Sequence, residues 1–173
     1  MSVSLHEVII GTYQQLLPQM DQLITKAEDH CAQTGTSAAE LGGSALAPDM
    51  WGFAKQLDQC AHHSAGAIKC VGEGVFSPAP DPVSADFGAM RSKITDALEV
   101  VGAVRPGDLE QIADRDVIFQ VGDFSIDFTT SGFLLSFSLP NFYFHCTTAY
   151  NILRHNGFEI GKLDFLGKMR TKG

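Results

Sequence analysis

The sequence predicts an all-α protein: a four-helix bundle with long crossover loops and one small β-hairpin just before the last helix. Three observations carry this expectation. Apolar residues recur at helical spacing in four long segments. Glycine- and proline-rich stretches at 34–48 and 73–83 separate three of those segments. The apolar period switches from 3.6 to 2 only once, over 117–128.

The elements follow in order. Ser4 and Glu7 make a capping box that opens the first helix. Leu5, Ile9, Leu16, Met20, Leu23, Ala27 and Cys31 form its apolar stripe, which ends near Gly35. Pro18 removes one hydrogen bond and is expected to bend this helix without ending it. The loop that follows holds one short turn around 37–41. Pro48 and Asp49 open a second helix over about 49–72, with Met50, Phe53, Leu57, Cys60 or Ala61, Ser64, Ile68 and Val71 buried. Gly72 and Gly74 close it. Three prolines at 78, 80 and 82 make 73–83 a loop. Ser84 caps a third helix that buries Phe87, Met90, Ile94, Ala97, Leu98 and Val101, and Arg105-Pro106-Gly107 stops it. Val117, Phe119 and Val121 alternate up to a Gly122-Asp123 turn, and Phe124, Ile126 and Phe128 alternate after it. Thr130 caps the fourth helix, where Pro140 leaves the Ser136 carbonyl without its usual donor and a kink is expected. The tail supplies Ile160, Leu163, Phe165 and Leu166 as an apolar strap, and its last six residues are basic and expected to fray.

Composition narrows the functional classes. At 173 residues with 45% hydrophobic content, one domain over 1–173 is expected. A net charge of −8 argues against nucleic acid, whose phosphates require clustered Lys and Arg. The apolar run at 133–139 is far shorter than the roughly 20 residues of a membrane span. Cysteines at 31, 60, 70 and 146 form no C-x-x-C pair, which points to reduced thiols and a cytoplasmic setting. The first ten residues show no signal-peptide pattern.

Six histidines offer the obvious chemistry, at 6, 30, 62, 63, 145 and 155. Asn141 and His145 stand at i, i+4, so both can face one site just past Pro140. His62 and His63 are adjacent and diverge by about 100°, so one of them can reach the core near Gln59. Thr148 adds a polar group to the same helix. Phe133, Phe137, Phe142 and Phe144 exceed what one stripe buries, so either a second subunit or the hairpin covers them.

The runs LPNFYFHCTTAYNILRHNGFEIGKLDFLG and ALAPDMWGFAKQLDQCA resemble the signature of an uncharacterised domain-of-unknown-function family within the DinB/YfiT-like superfamily. That resemblance implies a bundle, commonly dimeric. Its better-known relatives hold a divalent metal, zinc or nickel, through three histidines, and include mycothiol- and bacillithiol-dependent transferases. Their pair on the last helix falls on Asn141 and His145, and their second-helix ligand falls near Gln59.

Three functions follow as alternatives. The first is a homodimeric DinB-like protein whose polar pocket of Gln59, Asn141, His145 and Thr148 binds a small molecule, its metal site degenerate. The second is a divalent-metal-dependent transferase or hydrolase, with His145 and either His62 or His63 as ligands. The third is a stress-associated interaction protein that docks its partner on the aromatic face.

Overall fold

The structure, a computed structural model, describes residues 3–172. Part of the N-terminal leader reading (Met1, Ser2) and the last residue of the basic tail (Gly173) lie outside that range. Helix α1 runs Leu5–Thr34 and does not end at Pro18; Ser4 Oγ accepts the Glu7 N–H at 3.0 Å, and Gly35 closes the helix at φ 75°. Helix α2 is the short Ala38–Gly43 turn.

Helix α3 occupies 53–73 in three pieces: α-helix Phe53–Ala61, a π-helical turn His62–Gly66, and α-helix Ala67–Glu73 ended by Gly74. It starts later than the expected residue 49. Gly52 is its N-cap and packs so closely on the α2 end that an added Cβ would sit 2.7 Å from the Gly42 carbonyl oxygen. Residues 44–52 therefore form a loop, which carries Met50 and Trp51. Helix α4 is Phe87–Gly102, capped by Asp86 accepting the Ala89 N–H at 2.9 Å; the expected cap, Ser84, instead accepts the Asp86 N–H.

The hairpin is a sheet of three strands, in the order β1-β2-β3. Strand β1 is Val75–Phe76, β2 Asp116–Val121 and β3 Phe124–Thr129. β1 pairs parallel to β2 with Phe76 opposite Phe119, so part of the stretch expected to be loop is strand. β2 and β3 pair antiparallel from Asp116↔Thr129 to Val121↔Phe124 about the Gly122 turn.

Helix α5 occupies 130–155: a first turn Thr130–Gly132, a π-helical stretch Phe133–Ser138, and α-helix Leu139–His155. Thr129, one residue before the expected cap, accepts the Gly132 N–H. The π stretch ends just before Pro140, and the Leu139 N–H reaches back five residues to the Leu134 carbonyl. Proline's missing donor is thus absorbed by widening the helix rather than by breaking it. Short helix α6, Lys162–Leu166, follows.

Helix predominates among the described residues, beside this small sheet. The expected number of four helices is exceeded by α2 and α6. α1 packs on α4 and α5, and α3 on α4 and α5. Their buried side chains form one cluster. Phe76, Phe119 and Phe128 from the sheet cover Phe133 and Phe137, with Phe119 and Phe137 ring centroids 4.9 Å apart. Phe142 is fully buried edge-on to Tyr13. Only Phe144 of the four helix phenylalanines lies open, at 54% exposure. The tail strap is held partly by Gln15 Nε2 donating to the Leu166 carbonyl, while Leu163 faces solvent. Arg170 donates to the Glu7 carbonyl over Gly11, so this part of the basic tail is docked rather than frayed.

Candidate site at the α3–α5 seam

The two π segments face each other. Ser138 Oγ, at the end of one, donates to the His63 carbonyl in the other at 2.7 Å, and Tyr13 OH lies 3.5 Å from Ser138 Oγ. Helical π turns leave carbonyls out of register, and here a serine hydroxyl from the facing helix satisfies one of them. Next to this junction sit His63 from α3 and His145 from α5, both buried, their rings stacked at 5.6 Å with planes 19° apart.

His145 is held by a two-step relay. Gln56 Nε2 donates to the Trp51 carbonyl at 3.0 Å, and Gln56 Oε1 lies 2.7 Å from His145 Nδ1. A carbonyl can only accept, so the Gln56 amide nitrogen must face Trp51 and its oxygen must face the imidazole. His145 Nδ1 therefore carries the proton, and Nε2 is left with a free lone pair. Burial disfavours the imidazolium most; together with His62 and Lys55 it pushes the His145 pKa down to about 4. Burial, then His145 and His62, takes His63 to about 3. Both rings are neutral at pH 7.

The remaining candidate residues separate around this pair. Asn141 shares a cleft of ≈ 360 Å³ with His145, but its Nδ2 donates to the Phe137 carbonyl of its own helix at 2.8 Å. Gln59 is buried and donates to Asp58 Oδ2 at 3.3 Å rather than meeting His145. Thr148 Oγ1 donates to the Phe144 carbonyl one turn back. His62 is half-buried, with Nε2 2.9 Å from the Ser77 carbonyl, and burial lowers its pKa as well. Asp49, Met50, Trp51, Gln56 and Phe144 line the cleft; of these the sequence marks only Phe144 for function, as part of an aromatic face and not of a pocket. One signal was available for the amide: Gln56 and His63 are seven residues apart, so they fall within about 20° on one helix face, whereas Gln59 lies about 60° away from Gln56.

The metal that the resemblance implies does not fit this arrangement. His145 Nδ1 is committed to Gln56, and the rings of His63 and His145 lie near parallel with centroids 5.6 Å apart rather than turned towards a common point. Zinc needs in-plane lone pairs converging at about 2.1 Å. The neighbouring amides are engaged, and amides are weak ligands for such metals. Among the described residues, no three His, Cys, Asp or Glu side chains gather to hold a metal ion.

An antiparallel bundle seam with a polar pair at its centre, closed at one side by a small sheet, defines a helical protein of DinB-like fold. A crystal structure of a DinB family member from Shewanella denitrificans superposes with a TM-score of 0.80 at 24% identity, over 98% of this chain and 95% of that one. The family model described as a domain of unknown function, DUF1993, matches residues 5–166, and the chain belongs to that family. No curated protein matches it. No helix among the described residues is long and apolar enough to cross a membrane.

Proposed function

We propose that this DUF1993 protein is a four-helix-bundle, small-molecule-binding member of the DinB-like fold, in which a neutral imidazole acts where relatives place a metal. The relay from the Trp51 carbonyl through Gln56 to His145 is the observation that supports it. A pre-set tautomer in a largely preformed cleft is what a selective hydrogen-bonding site requires. The four long helices α1, α3, α4 and α5 supply the bundle. Four buried free thiols support a reducing, cytoplasmic setting. Exposed Val121, Phe124 and Ile126 at the open end of the sheet support a homodimer.

One observation favours the metal-dependent transferase or hydrolase instead: His63 Nδ1 is buried without a hydrogen-bond partner. A zinc or nickel ion would satisfy it only with the His63 ring turned towards His145 Nε2 and His62 released from the Ser77 carbonyl. Elemental analysis of the untagged protein separates the two readings. Zinc and nickel well below one equivalent is the expected result. One equivalent that is lost in His145→Ala overturns the proposal.

A further inference from the structure

We infer that the ligand of the Trp51–His145 cleft is a small organic cation bearing an ammonium group, an assignment that rests on the pocket reading above. The free polar atoms decide the class. Gln56 is held at both ends, by Trp51 and His145. Asn141 has one N–H committed to Phe137, which leaves its Oδ1 and a second N–H. His145 Nε2, an acceptor by the tautomer argument, has no hydrogen bond among the described residues and is not one of their sealed unsatisfied atoms. Asp49 brings a carboxylate to the mouth and makes no ion pair among the described residues. Each amide keeps one further N–H, but the carboxylate and the His145 lone pair, the strongest polar groups at the cleft, are acceptors.

The walls agree with the polar atoms. Trp51 and Phe144 are 53% and 54% exposed, unusually open for aromatic rings, and both line the cleft. Aromatic faces attract cations through their quadrupole, Trp most strongly. Trp51 already does this within the protein: the Lys55 ammonium lies 5.4 Å from its ring centroid. Lys55 itself is not available to an anion, because Asp81 and Asp58 hold it at 2.7 and 3.4 Å. Trp51 separates this cleft from a second one, lined by Lys55 and Asp81, and walls both. An anion would meet a carboxylate and lone pairs. A neutral hydrocarbon would leave the same acceptors dehydrated and unpaired. An ammonium donates to them and lies against the rings, and the ≈ 360 Å³ volume suits a molecule of about drug-fragment size.

Trp51 is the only tryptophan in the chain, so intrinsic fluorescence reports on the two clefts it walls, and the Asp49→Asn variant, whose side chain lines only this one, assigns the change to it. The test titrates the full-length protein with benzylammonium, benzyltrimethylammonium, benzyl alcohol and phenylacetate. Saturable Trp51 changes are expected for both ammonium probes, with benzyl alcohol about tenfold weaker and phenylacetate weaker still. Asp49→Asn, at an exposed loop position, is expected to weaken benzylammonium several-fold and to flatten its salt dependence. A stronger benzylammonium than its trimethyl analogue shows the hydrogen bond to His145 Nε2; equal affinities assign the recognition to the rings and Asp49. Benzyl alcohol or phenylacetate binding as tightly as the ammonium probes overturns the cation assignment and leaves the pocket standing. No saturable change with either ammonium probe overturns it too. The pocket reading falls separately, on a stoichiometric metal held by His145.

Discussion

Acid should destabilise this protein through its two neutral imidazoles, and the size of the effect follows from their burial. An imidazole titrates near 6.5 in an unfolded chain, whereas burial holds His63 at about 3 and His145 at about 4 in the fold. Both folded pKa values are depressed, so the stability they contribute is full above pH 6.5 and is lost as pH falls towards the folded values. At pH 5 the unfolded chain has taken up nearly two protons that the folded protein refuses. Each costs about 1.36 kcal/mol per pH unit, so the pair loses about 4 kcal/mol between pH 7 and pH 5. Half-exposed His62 shifts in the same direction and adds to this. Urea denaturation at pH 7.5, 6 and 5 measures the slope. His63→Leu, which fills a similar volume without a titrating group, should remove about half of it. A wild-type curve flat from pH 7 to 5, or a slope that His63→Leu leaves unchanged, would refute the buried neutral pair.

Three further outcomes are expected. Gln56→Leu strands the Trp51 carbonyl and the His145 N–H inside the protein and should cost about 2–4 kcal/mol in urea denaturation; Gln56→Glu, which cannot donate to Trp51, should also blue- or red-shift Trp51 emission. Ser138→Ala leaves the His63 carbonyl unpaired between the two π segments and should cost about 1–3 kcal/mol, with faster amide hydrogen exchange confined to 62–66 and 133–138. Gly52→Ala drives a methyl into the Gly42–Gly43 backbone, so it should lower the melting temperature clearly, whereas Gly43→Ala, which meets open space, should not.

Much of the helical plan was readable because its signals are local. Ser4 with Glu7, Gly35 and Gly74 mark ends by caps that need no partner from elsewhere in the chain. The 117–128 alternation announced the hairpin, since period 2 around Gly122-Asp123 has no helical reading. What escaped depends on contacts between distant residues. Val75–Phe76 is strand only because β2 lies beside it. Residues 49–52 are loop because Gly52 has to clear the backbone of α2, which no local pattern encodes. At the site, His145 was legible as the polar residue in an aromatic run. Its partner was placed near Gln59, yet Gln56 and His63 are the residues on the face that meets it. Neither π segment has a residue signature; the one before Pro140 is a response to a missing donor that could equally have kinked the helix.

The ring nitrogens of His145 carry the central claim, and nitrogen-15 NMR of the histidine side chains reads them directly. Between pH 6 and 8 the expected spectrum is a single neutral tautomer protonated at Nδ1, unchanged by one equivalent of zinc and lost in Gln56→Leu. A proton on Nε2, or a shift of the His145 ring to metal-bound values on adding zinc, would contradict the account.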